Sequence, residues 1–279
     1  MLLTLVVACA KSADNETSHV SASIPQRVVV IGPATAANIF ALGVADLVVG
    51  VSDYNTLETM RDLPRVGGLF DPNHERITAL QPDLVIIQGQ AKSLQAFCQA
   101  SAIEFRSFST DTLAAWRLEM EWLADRLGGK QQLPAQLQRM EQGLAALRAA
   151  QEEKRGDRAP ARVLLVVSRR ADEASGLIVA GNPSFLNELL VHAGGTNVFP
   201  DSSRDYFDLN EESLIRTAPE IILEFGTDPS TALQIWRDAF PEVSAVREGR
   251  VKVITDPNAL MPGPTMLQTA QAIAAALND

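Results

Sequence analysis

Two glutamates in matched settings are the first candidates for a functional role. Glu75 stands in Asp71-x-Asn73-x-Glu75 and Glu212 in Asp208-x-Asn210-x-Glu212, and the segments Asp71–Ile86 and Asp208–Leu223 align without a gap. In both, a proline (Pro82, Pro219) is followed by an acid (Asp83, Glu220) and an apolar run. This pattern predicts a helix capped by asparagine, ended by the restriction proline places on the residue before it, and feeding a core strand. Acids favour helix N-termini in general, which explains an acid near each start but not the shared spacing. A repeat of this length predicts duplicated lobes, with Glu75 and Glu212 at equivalent places. Such a pair suits anionic knobs that set the register of a contact with basic sockets on a two-fold partner.

The cationic candidates are Arg169, Arg170 and Arg204. Their guanidinium groups suit an anionic or carboxamide-rich ligand, and they equally suit solvated loops. A free-metal site needs several converging ligands. The only histidines are His19 in a polar N-terminal tract, His74 beside Glu75 and His192 in a helical run, so no metal site is expected. The chain has no Gly-x-Gly-x-x-Gly after a strand, no P-loop and no Gly-x-Ser-x-Gly. Gly128-Gly129-Lys130 lies between helical stretches and is no phosphate cradle. An enzyme is thereby disfavoured, no catalytic residue is assigned, and no cofactor is expected.

The elements that must position these residues alternate. Val28–Ile31, Leu47–Val51 and Leu84–Ile87 read as strands, with helical pattern between them, including Ala34–Leu42 before Gly43. The second half repeats this grammar with strands at Val163–Val167, Ile221–Glu224 and Val251–Ile254 and a helix over Ser184–His192. Between the halves, Thr112–Leu127 is helical. A longer helix then runs from about Gln131 to Lys154, with Leu133, Leu137, Met140, Leu144 and Leu147 on one stripe. The expected fold is α/β: two Rossmann-like lobes with parallel sheets joined by a long rigid helix. The expected divisions are a signal remnant and tether over 1–23, a first lobe over 24–128, the connecting helix over 129–156 and a second lobe over 157–279.

Composition narrows the partners. A net charge of −10 and a pI near 4.9 argue against nucleic acid, and no apolar run approaches the ~20 residues of a membrane span. Val6-Val7-Ala8-Cys9 resembles a bacterial lipobox, and Lys11–Ser23 is polar as a tether should be. A lipid on Cys9 is therefore expected, with the mature protein starting there and the membrane reached only through that anchor. The apolar lead is short for a signal peptide, which suits a start codon further upstream. Cys98 would then be a lone thiol, buried and structural by its apolar neighbours.

Phe40-Ala-Leu-Gly43, Val49-Gly-Val-Ser-Asp53, Leu63-Pro-Arg-Val-Gly-Gly68, Leu80-Gln-Pro-Asp-Leu-Val-Ile86, Ser184-Phe-Leu-Asn-Glu-Leu-Leu190, Gly194-Gly-Thr-Asn-Val198 and Pro262-Gly-Pro264 follow one another in a recognisable order. In this order, over Val28–Leu277, the chain resembles the cobalamin and iron-siderophore periplasmic binding proteins. The resemblance implies a monomeric, extracytoplasmic solute-binding lipoprotein, periplasmic or at the cell surface, that carries a corrinoid or ferric siderophore to an ABC importer. It implies that Glu75 and Glu212 dock on arginines of the permease dimer. It implies that a cleft between the lobes holds the chelate and closes little, because the connector is stiff. The cleft residues it points to are Pro33, Tyr54, Gly68, Phe70 and Gln88 from the first lobe and Arg169, Arg170, Arg204, Tyr206 and Phe225 from the second. Ala34, Ala36-Ala37 and Thr265 replace polar residues usual in the family, so the chelate stays open. A haem- or free-metal-binding importer component and a non-transport enzyme remain the alternatives.

Overall fold

The computed structural model describes residues 23–226 and 228–278. Cys9 and the lipobox lie outside them. Four strands, β1 (Val28–Ile31), β2 (Val48–Val51), β3 (Leu84–Gln88) and β4 (Glu104–Phe108), form a first, wholly parallel sheet in the order β2-β1-β3-β4. Helices α1 (Pro33–Ala41), α2 (His74–Ala79) and α3 (Lys92–Ala100) make the crossovers. All four β1 residues are buried, as a β-branched run covered on both faces requires. Val29, Ile31, Val85 and Ile87 pack with Leu94 and Cys98 on one face. Burial pushes the Cys98 thiol up to about 11, in keeping with a structural cysteine.

The chain then forms α4 (Leu113–Leu127) and α5 (Leu133–Arg155). Thr112 caps α4 by accepting from the Ala115 amide at 3.0 Å. Helix α5 realises the long run read from the leucine stripe: Met140 and Leu144 are buried, and Leu133, Leu137 and Leu147 pack half-buried beside them. It lies against its neighbours rather than standing free. At Gly143 a Cβ would collide with the Leu267 side chain of the last helix.

The second half adds β5 (Ala161–Ser168), β6 (Leu177–Ala180), α6 (Phe185–His192), β7 (Gly195–Asn197), β8 (Tyr206–Leu209), α7 (Glu211–Thr217), β9 (Ile221–Phe225), α8 (Pro229–Ala239), α9 (Ser244–Arg247), β10 (Val251–Ile254) and α10 (Met266–Asn278). Its sheet runs β10-β9-β5-β6-β8, with β7 also on β5. The parallel part, β7-β5-β9-β10, repeats the order of the first sheet. The α/β class stands, but this sheet is mixed rather than parallel, because β6 runs antiparallel to both β5 and β8. The reason is the turn between β5 and β6, where the Arg170 amide bonds the Ser175 carbonyl and Gly176 has φ +59°. A connection that short can only reverse the chain, since a parallel return needs a crossover.

Candidate functional site

The repeat is reproduced at the level of single hydrogen bonds. Asn73 Oδ1 accepts from the Arg76 amide at 3.0 Å and Asn210 Oδ1 from the Ser213 amide at 2.9 Å, each three residues into its helix. Glu75 and Glu212 sit on the first turns of α2 and α7, both exposed. Each helix ends in a left-handed, non-glycine residue before its proline, Gln81 at φ 46° and Ala218 at φ 43°. The Arg27 guanidinium donates to the Leu80 carbonyl at 2.7 Å and that of Arg162 to the Thr217 carbonyl at 2.6 Å. Asp83 accepts from the Arg27 amide at 3.0 Å and Glu220 from the Arg162 amide at 2.7 Å. Glu212 also meets Arg216 at 3.3 Å in an exposed pair, whereas Glu75 has no ion-pair partner among the described residues.

At the carboxyl ends of the strands, where α/β lobes place ligands, residues of the two halves face each other. One hollow of about 280 Å³ is lined by Gln88, Thr110 and Asp111 from the first half and Val167, Phe185, Tyr206, Leu260 and Pro262 from the second. A second, of about 340 Å³, shares Gln88, Thr110 and Asp111 and extends past Phe108 to Leu69 and Phe70. The floor is stitched by the Phe185 amide to the Asp111 carbonyl at 2.5 Å and by the Leu113 amide to Glu188 Oε2 at 2.6 Å. Below Thr110 lies buried Glu119, which accepts from the Thr110 hydroxyl and from Asn38 Nδ2 at 3.1 Å, while Asn38 Oδ1 accepts from Trp116 Nε1 at 3.0 Å. Burial holds the Glu119 carboxyl above the usual carboxylate range, against those hydrogen bonds. Burial, then the charge of Asp205, likewise raises Asp111. Tyr206 is pushed well above an ordinary phenol, first by burial and then by Asp111 and Asp205.

Of the residues read from the sequence, Gln88, Phe70 and Tyr206 line this cleft. Phe70 is 99% exposed at the edge of the second hollow, whereas Tyr54, 67% exposed, lines neither. Gly68 adjoins Tyr54 so closely that a Cβ there would lie 3.2 Å from the ring. Pro33 begins α1 half-buried and lines neither hollow.

Arg169, Arg170, Arg204 and Phe225 are not brought there. Arg169 is 9% exposed and pairs at 2.9 Å with Glu224, itself 6% exposed, and Glu224 also accepts from Trp236 Nε1 at 2.9 Å. Arg170 is exposed beside Glu173 on the β5–β6 turn. Arg204 stacks at 4.3 Å over Phe207, on the face of β8 opposite Tyr206, since side chains alternate along a strand. There it lines a larger hollow of about 490 Å³ that holds no first-lobe residue. Phe225 is buried. The cleft remains the better candidate because both halves build it. Thr110, Asp111, Phe185, Leu260 and Pro262 were missed. Thr110 and Asp111 follow β4, whose polar Glu-Phe-Arg-Ser-Phe run carries little strand signal, so the loop after it went unread. Pro262 was legible only as a motif without a place.

Among the described residues no three His, Cys, Asp or Glu side chains converge to hold a metal ion, and no helix is long and apolar enough to cross a membrane. Two α/β halves meeting at a cleft of facing loops define a two-lobed binding-protein scaffold. Residues 28–257 match the family model described as periplasmic binding protein, and the chain belongs to that family. It is similar to the high-affinity heme uptake system protein IsdE of Staphylococcus aureus (strain Newman), 26% identical over 226 residues, 79% of this chain and 73% of that one. A periplasmic heme-binding protein from Pseudomonas aeruginosa superposes with a TM-score of 0.76 at 26% identity over 91% of this chain and 93% of its own. The vitamin B12 binding protein BtuF of Vibrio cholerae shares the fold, with a TM-score of 0.71 at 22% identity over 91% and 97% of the two chains.

Proposed function

We propose that this protein is the extracytoplasmic solute-binding component of an ABC importer, capturing a metal chelate between its lobes without transforming it. The observation that carries this reading is the cleft that loops of both halves build together. Gln88, Thr110 and Asp111 face Phe185, Tyr206 and Pro262 across it, with the bare ring of Phe70 at its edge. Docking of Glu75 and Glu212 on a two-fold permease belongs to the same reading, supported by their equivalent, exposed places on the first turns of α2 and α7. Relatives named for heme and vitamin B12 binding support a chelate as cargo. Tethering through a lipid on Cys9 completes the reading and rests on the lipobox alone.

The test is to titrate the purified protein with cyanocobalamin, hemin and a ferric hydroxamate, following tryptophan fluorescence and the visible spectrum. One of them should bind with micromolar or tighter affinity and be recovered chemically intact. Saturable binding of none, or steady conversion of any, defeats the proposal. Intact mass of membrane-extracted protein should show a diacylglycerol adduct on an N-terminal cysteine; an unmodified Met1 in soluble cytosol overturns the anchor.

A further inference from the structure

The cleft loops differ sharply in charge from what a carrier of anionic chelates would present. We propose that Asp111 and Asp205 make the cleft selective for a chelate whose periphery donates hydrogen bonds, one bearing carboxamides or a net positive charge, and reject one rimmed with carboxylates. The inference rests on the cleft being the ligand site.

Each half supplies one acid. Asp111 lies between β4 and α4, and Asp205 immediately precedes β8. Their backbones are fixed: the Asp111 carbonyl accepts from the Phe185 amide across the cleft floor at 2.5 Å, and the Asp205 carbonyl from the Gly181 amide within the second half at 2.7 Å. Their carboxylates have neither a hydrogen-bond donor nor an ion-pair partner among the described residues. Both are half-buried; Asp111 lines both hollows, and Asp205 stands beside them as the chain neighbour of Tyr206, which lines one.

No lysine, arginine or histidine lines either hollow. The basic side chains that could have balanced the acids are committed elsewhere, Arg169 to Glu224 and Arg204 to the Phe207 face. A carboxylate-bearing chelate entering this cleft meets the Asp111 carboxylate, with Asp205 flanking Tyr206, and no cation among the lining residues, in a site partly removed from water where the repulsion is poorly screened. An amide N–H meets a free carboxylate acceptor in Asp111, with Asp205 nearby, and forms charge-assisted hydrogen bonds. The Tyr206 phenol, held protonated, offers a hydroxyl rather than a phenolate.

The experiment compares cyanocobalamin, ferrioxamine B and hemin on the full chain, wild type and variant. Cyanocobalamin carries neutral amides, ferrioxamine B is an amide-bearing cation, and hemin carries two propionates; the first two arms tell a corrin from a hydroxamate. Wild type should bind one of the first two at least about tenfold more tightly than hemin. Asp111→Asn and Asp205→Asn should each tighten hemin by about tenfold while weakening the preferred chelate. Asp111→Glu, which keeps the charge, should keep the wild-type ranking and controls for damage to the fold. Hemin binding wild type as tightly as the other two, or hemin affinity unmoved in both asparagine variants, overturns the selectivity and leaves the cleft reading intact. Binding of none of the three overturns both.

Discussion

The two halves agree closely at one end and diverge at the other. In the first, Arg27, Asp83 and the Leu80 carbonyl tie the start of β1 to the end of α2; in the second, Arg162, Glu220 and the Thr217 carbonyl do the same for β5 and α7. At the carboxyl ends of the matching strands the likeness stops. Ile87, one residue before the end of β3, packs inside an apolar cluster. Its counterpart Glu224 is a buried acid held by Arg169 and Trp236. The second sheet also carries the antiparallel β6 and β8. The matched ties sit where the strands begin and hold the duplicated helix-to-strand connection; the divergence sits at the strand carboxyl ends, where α/β lobes place ligands.

The comparison breaks most readily at the acids. Glu75→Ala with Glu212→Ala should abolish permease-driven uptake while leaving chelate affinity unchanged. Each single change should cost only about 1 kcal/mol, because both contacts are exposed and the loss lies in two-point registration. If affinity falls with uptake, the glutamates belong to the cleft; if neither moves, they are helix-end acids.

Arg169→Ala should destabilise the fold by about 3–5 kcal/mol in urea denaturation, since it strands a buried carboxylate. Weakened chelate binding at unchanged stability would instead return Arg169 to the ligand site.

Glu119 sharpens the first half's side of the comparison. Its folded pKa is raised by burial, so its contribution to stability is fully present below the ordinary 4.5 and is lost as pH rises through the folded value. Glu119→Gln should flatten that fall and raise the melting temperature near neutral pH, by about 2–4 °C for each kcal/mol regained. Parallel stability–pH curves for variant and wild type would show that Glu119 is not the group responsible.

The smallest effect tests equivalence itself. Asn73→Ala and Asn210→Ala should each cost about 1 kcal/mol. Values that differ by more than a few tenths would mean that the two caps carry different loads.

The sequence by itself determined the features that depend on neighbours in the chain. The asparagine caps, the pre-proline helix ends, the buried runs of β1, β3 and β9 and the leucine stripe of α5 are set within a few residues, by hydrogen bonds and burial periodicity that act locally. The duplication was legible for the same reason. Only the tertiary structure decided where the charged loops point. Arg169 looked like a ligand group until Glu224, distant in the chain, was found beside it. Arg204 and Tyr206 are near neighbours sent to opposite faces of one strand. Asp111 and Phe185, distant in the chain, meet only because the two halves close on one floor. A side chain's charge is written in the sequence, but whether that charge is neutralised, buried or left facing a ligand depends on which distant group packing delivers to it.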